Sequence, residues 1–410
     1  MKLELLRQYA QLIVQNGLHV QKGQPVIIYA SMYQNDMTRL CVEEAYKAGA
    51  STVEVFYHDD EITRLKYTYE SLEQLSNIDE WKIESKHSLL KKGACALHLI
   101  SDVPGVLKDV DAKKRETASM AMSKASKHIQ DYTMLNKTQW CVAAVPNENW
   151  ALQVFPELTE KEAVETLWKY ILQCVRVYEG GCAKQEWKQL NEDLKRREQI
   201  LNAYQFDKLL FSNMKGTKLE VSLVKNHIWC GGSEKTINGI EFQPNIPTEE
   251  IFTMPEKTGV NGIVYATRPL LYQGVLIKDF WLSFKDGKVV AYDAKEGKDA
   301  LTALIEFDEG SCYLGEVALV PNSSPISKSN ILFYNTLFDE NAACHLALGD
   351  AYPTTVKNGE NMNETQLKEV GANHSLTHVD FMFGSSDMKV VGVCEDQSEV
   401  LVFENGEFVV

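Results

Sequence analysis

Along 410 residues the spacing of apolar side chains changes character once, near residue 206, and that change limits the fold more than any single motif does. Before it, helical and strand periods alternate. Residues 3–15, "LELLRQYAQLIVQ", repeat apolar side chains at helical spacing, and "GQPVIIYA" is a short strand-like run after a glycine. "NDMTRLCVEEAYKAGA" is again an amphipathic helix ending in glycine, and "STVEVFYH" is the next strand. Strand, helix, strand in that order is the crossover unit of a parallel sheet. "ACALHLISD" (94–102) and "TQWCVAAVPN" (138–147) predict further strands, with the helical "DAKKRETASMAMSKASKHIQDYTML" between them. After residue 206 strand alternation takes over, in "KLLFSNMKGTKLEVSL" and "GIVYATRPLLYQGVLIKDFWLSFKDGKVVAYDA", with KDGK and ENGE as turns. A chain of this length exceeds one ordinary core. The expectation is an α/β domain with a mostly parallel sheet over residues 1–205 and a β-rich α+β domain over residues 206–410, connected by a helical stretch from about 160 to 204.

Composition removes several classes of function. A formal charge of −15 repels nucleic acid, and the densest basic run, "KQLNEDLKRREQ" (188–199), is mixed in sign and reads as a solvated helix face. No window approaches the roughly 18 to 20 apolar residues of a membrane helix, and "MKLELLRQYAQLIV" interleaves charge with leucine, so a cytoplasmic protein with no membrane partner is expected. The nine cysteines lack any CxxC pair and fit buried thiols in a reducing compartment. No GxGxxG or GxxxxGK[ST] loop follows the strands of the first half, so nothing supports a nucleotide site.

Four segments of the second half set charged residues among apolar ones: "PNIPTEEIFTMPE" (244–256), "GSCYLGEVALVP" (310–321), "DENAACHLALGDAYP" (339–353) and "NHSLTHVDFMFGS" (373–385). In "LGEVALV" the lone Glu316 sits in a run suited to burial, and a buried carboxylate needs a partner, a proton or a cation. In "THVDFMF" a strand period puts His378 and Asp380 on one face, with Val379 and Phe381 turned to the core. His374 aligns with His378 only on a helix and is left out. "AACHLALG" predicts a short helix closed by Gly349, with Pro353 forbidding continuation. Glu340 and His345 would then share a site only if Glu340 lies in the loop before that helix, which Asp339 and Asn341 suit as capping types. Cys344, beside His345, reads as a small buried hydrophobe. The candidates together are Glu250, Glu316, Glu340, His345, His378 and Asp380. Four carboxylates and two imidazoles are a ligand set for two divalent cations, with imidazole favouring zinc, cobalt or manganese over calcium.

At these residues the chain resembles a known family. "NIPTEEIFTMPE", "LGEVALVP", "YNTLFDENAACHLALGDAYP" and "HVDFMFGSSDM" are similar to signature blocks of the M29 metal-dependent aminopeptidases, and the likeness extends through "WCVAAVPNENWALQVFP" to "GLHVQKGQPVIIYA". The resemblance implies a two-domain cytoplasmic exopeptidase, a homodimer, acting on peptides with a free N-terminus through a metal-activated water. It implies Glu250, Glu316, Glu340, His345, His378 and Asp380 as ligands of two divalent metals, and Glu316 is the expected bridge between them. Tyr352 of "DAYP" matches the family's tyrosine beside the metals, suited to stabilising the oxyanion, and Glu249 is the expected general base. Two other readings of the residues stay open: a different metal-dependent amide hydrolase such as a dipeptidase, and a non-catalytic metal-binding protein.

Overall fold

The computed structural model describes residues 2–101, 103 and 105–410. They form two compact units, the first comprising the chain up to Asn191 with Ser233–Thr248, the second Glu192–Gly232 with Glu249–Val410. This division differs from a single cut at residue 205. It falls inside a long helix, and Ser233–Thr248 returns to the first unit.

The first unit is α/β. Strands β1 (Pro25–Ser31), β2 (Thr52–His58), β3 (Cys95–Ile100) and β4 (Trp140–Ala144) are all parallel, in the order β4, β3, β1, β2, and the two-residue strand Asn245–Ile246 adds in parallel beside β4. The crossover helices are α1 (Asn35–Ala48) after β1 and α2 (Ala112–Met134) after β3. Strands covered on both faces must be apolar almost throughout, and β1 and β3 bury most of their residues. Helix α1 stops where Gly49 takes a left-handed conformation (φ 101°), a position that penalises any side chain. Two further helices, α3 (Glu160–Cys174) and α4 (Ala183–Tyr204), follow β4, and α4 contains the boundary between the units. Among the described residues no helix is long and apolar enough to cross a membrane.

The second unit is built on antiparallel pairing. Its larger sheet runs in the order Leu270–Tyr272, Val275–Lys285, Pro255–Tyr265, Lys218–Leu223, Lys208–Ser212, Lys389–Val393, Glu399–Glu404 and Glu407–Phe408, with Lys288–Glu296 also on Val275–Lys285. The KDGK and ENGE turns close two of its hairpins through paired positive φ values, 50° and 79° at Asp286 and Gly287, and 52° and 73° at Asn405 and Gly406. A second sheet holds Cys230–Gly231, β5 (Ile251–Thr253), β6 (Leu314–Leu319), β7 (His345–Gly349) and β8 (His378–Met382), each antiparallel to its neighbour.

Strand β7 corrects the expected helix at "AACHLALG". All five of its residues are buried between β6 and β8, where backbone pairing and burial override the helical preference of alanine and leucine. Gly349 does not cap a helix. It ends the strand at φ 115°, and a Cβ there would lie 2.0 Å from the Thr377 carbonyl oxygen. Gly349→Ala should therefore cost about 1–3 kcal/mol of stability. Urea denaturation checks this; an unchanged midpoint would show that the β7–β8 junction yields freely.

Candidate metal centre

The small sheet places the polar residues by simple alternation. Glu316 pairs across to Ala347, and Ala347 to Asp380, so these three form one row over β6, β7 and β8. Period two then puts His345, Ala347 and Gly349 of β7, and His378 and Asp380 of β8, on the same face. Glu250 stands two residues before Phe252, which pairs with Ala318 on that same face. Glu340 comes from the 3-10 turn Glu340–Ala342, which follows the short helix Thr336–Asp339. It lies outside any helix shared with His345.

Five of the six candidates are brought together by direct contacts. His345 Nε2 lies 3.0 Å from Glu250 Oε2 and 3.5 Å from Glu316 Oε1, and His378 Nε2 lies 3.8 Å from Glu316 Oε2 and 3.5 Å from Asp380 Oδ1. Glu250, Glu316 and His345 offer ligand atoms within 4.8 Å of one another, as do Glu316, His378 and Asp380, and Glu316 belongs to both trios. Glu340 is in neither trio, yet its carboxyl interacts electrostatically with Asp380, Glu250 and Glu316.

Both imidazoles are oriented from behind. Nδ1 of His345 bonds the Ala343 carbonyl at 3.2 Å and Nδ1 of His378 bonds the Asp350 carbonyl at 2.8 Å. A carbonyl only accepts, so each Nδ1 carries its proton and each Nε2 faces the acids with a lone pair in the neutral ring. Asp350 is held in turn by the Ser375 N–H at 3.0 Å and by His374 Nδ1 at 2.9 Å. His374 thus supports the site without joining it. Sequence reasoning missed Asp350 and Asn341, whose roles appear only once the segments are folded together.

Electrostatics favour a cation. Burial pushes the Glu316 carboxyl up, and burial together with neighbouring Asp380 and Glu250 holds Glu340 well above the usual carboxylate range. For His378 burial disfavours the charged ring, but Asp380 and Glu316 outweigh it and raise the group to about 10. His345 is likewise raised by Glu250 and Glu316 against the opposing effect of burial. Without a metal, the two imidazoles are the positive charges of the site. Among the described residues no lysine or arginine pairs with Glu250, Glu316, Glu340 or Asp380, and Asp380 Oδ1 is buried with no well-formed hydrogen bond. Buried acids in excess, an acid oxygen without a well-formed hydrogen bond and two presented Nε2 atoms fit divalent metal ligation.

The other two candidates are nearby. The Tyr352 ring lies edge-on to His378 at 5.0 Å between centroids and faces Phe252 at 6.0 Å. Glu249 is buried beside Glu250 but belongs to neither trio, and its charge is felt by the Arg197 guanidinium. Cys344 is buried, and burial pushes its thiol up to about 11, as an inert core residue requires.

A strand-borne cluster of buried acids and imidazoles defines a candidate metal-binding protein, and similarity to known proteins says of which class. Residues 2–408 match the family described as thermophilic metalloprotease (M29), and the chain belongs to that family. It is a metal-dependent hydrolase of peptide bonds. It is 42% identical to aminopeptidase AmpS of Bacillus subtilis (strain 168), covering 98% of each chain, and 40% identical to aminopeptidase 2 of Geobacillus stearothermophilus, covering 98% of this chain and 97% of that one. The solved structure of wild-type AmpT from Thermus thermophilus superposes with a TM-score of 0.91 at 36% identity, covering 99% of both chains. A 2,5-dihydroxypyridine dioxygenase from Pseudomonas putida KT2440 shares the fold alone, with a TM-score of 0.53 at 10% identity.

Proposed function

We propose that this metallopeptidase is a dinuclear aminopeptidase, releasing N-terminal residues from peptides. The observation that carries this reading is that two ligand trios meet at Glu316. Glu250 and His345 would hold one cation with Glu316, His378 and Asp380 would hold the other with Glu316, and Glu340 would add a fourth carboxylate. Zinc, cobalt and manganese suit this oxygen and nitrogen donor set. Bound cations supply Lewis acidity, which polarises the scissile carbonyl and makes hydroxide available near neutral pH. The carbonyls of Ala343 and Asp350 keep the imidazoles aimed, so little reorganisation accompanies reaction. Tyr352, whose ring packs on His378, would donate its phenolic proton in a hydrogen bond to the developing oxyanion. Glu249 is the proposed general base, buried next to Glu250. Excess carboxylate in the centre suits a protonated α-amine, which gives the preference for free N-termini.

Matched peptides with free and acetylated N-termini test this reading. The free peptide should be shortened from its first residue and the acetylated one left intact. Cleavage of both would point to a general amide hydrolase, and cleavage of dipeptides alone to a dipeptidase. We also place the protein in the cytoplasm as a homodimer. Among the described residues no cysteine is in a disulfide, which accords with a reducing compartment, and the dimer rests on the family resemblance. Sedimentation at micromolar concentration should give twice the mass of one chain; a monomer would remove the dimer.

A further inference from the structure

Asn341 is fully buried among the segments that supply the ligands, and each polar atom of its side chain is engaged with them. Its Oδ1 accepts the backbone N–H of Glu249 at 2.7 Å. Its Nδ2 donates to the Leu337 carbonyl at 3.0 Å and to Glu340 Oε1 at 3.3 Å. These partners fix the amide orientation, because the flipped side chain would set NH2 against N–H and oxygen against oxygen. The Asn341 carbonyl accepts the Ser324 hydroxyl at 3.0 Å, and Ser324 Oγ in turn accepts the Ser327 N–H at 3.0 Å. Ser324 lies five residues beyond β6, the strand of Glu316. The side-chain amide of Asn341 therefore ties the stretch bearing Glu250 to the turn bearing Glu340, and its main-chain carbonyl ties that turn to the exit from the strand bearing Glu316.

We infer that Asn341 is a positioning residue of the metal centre: it sets the separation of Glu250 and Glu340 and reserves the second oxygen of Glu340 for a cation. The bond from Nδ2 occupies Oε1, so Oε2 is the oxygen through which Glu340 would meet a cation. The Glu249 N–H holds the backbone from which Glu250 projects. Losing the amide frees both carboxylates at once, and the site that depends on Glu340 loosens while Glu250, Glu316 and His345 still contact one another. This inference rests on the two-cation reading.

The test is a cobalt(II) titration of the chelated full chain, followed by visible absorption and equilibrium dialysis, for the wild type, Asn341→Ala and Asn341→Asp. Aspartate keeps the size and the acceptor for Glu249 N–H but sets a carboxylate against Glu340, so it decides the matter should alanine fail to fold. The expected result is a second cobalt bound about 10–100-fold more weakly in the variants, the range for loss of a residue that orients a ligand, with the first near the wild-type constant. Their kcat should fall at limiting cobalt and recover as cobalt is raised, whereas a purely structural role would lower the melting temperature and leave both constants alone. Two cobalts held at wild-type constants in both variants would overturn the inference. A wild-type chain that takes up a single cobalt would overturn the two-cation reading instead.

Discussion

Replacing Glu316 by glutamine should abolish hydrolysis of an aminoacyl-amide reporter while leaving the fold intact. Glu316 alone belongs to both ligand trios, so this one change removes a negative charge and an oxygen donor from each. Lewis-acid stabilisation of the transition state is worth several kcal/mol, and about 1.4 kcal/mol is a factor of ten, so kcat/KM should fall by roughly a thousandfold or more. The fold should survive because glutamine has nearly the same volume and because the charge it removes is unfavourable in the metal-free protein, where burial already pushes the Glu316 carboxyl up. Circular dichroism and thermal melting of the chelated variant should match the chelated wild type. Turnover within tenfold of wild type would remove Glu316 from the mechanism.

Chelation should silence the protein and destabilise it together. Four carboxylates sit in the centre with, among the described residues, only His345 and His378 as paired counter-charges, so a divalent cation relieves repulsion in the folded state that the unfolded chain does not suffer. A ligand at about a thousand times its dissociation constant stabilises by about 4 kcal/mol. For a cooperative unit of this size that is roughly 10 °C in melting temperature. Metal binding should also release protons. His378 is raised to about 10 without metal, so at neutral pH its ring is protonated and must lose that proton before Nε2 can ligate. The sign follows directly: metal affinity rises with pH through the neutral range and levels off only above His378's own value. Titration calorimetry in buffers of different ionisation heat reads the protons released. Identical melting with and without chelator, and no proton release, would contradict this account of the centre's charge.

Much of the fold was legible because local periods agree with it. The order strand, helix, strand over residues 25–58 became β1, α1 and β2, and the alternation at His378 and Asp380 became one face of β8. The KDGK and ENGE turns became hairpins because Asp, Asn and Gly tolerate the paired positive φ those turns need. The segment His345–Gly349 was not legible as a strand from propensity: a five-residue apolar run has no length or period to separate strand from helix, and pairing with β6 and β8 decided it. The return of Ser233–Thr248 to the first unit was also hidden. Pairing of Asn245–Ile246 with β4 joins residues about a hundred positions apart and leaves no local trace. In the site, residue types and spacing gave the candidates, but Asn341 reads locally as a capping residue, and only the fold brings Glu249 N–H to its Oδ1.

The most direct measurement is anomalous diffraction from crystals loaded with zinc or cobalt, recorded at the metal's absorption edge. The account predicts two peaks flanking the Glu316 carboxylate, one beside Glu250 and His345 and the other beside His378 and Asp380. A single peak, or none between these side chains, would contradict it.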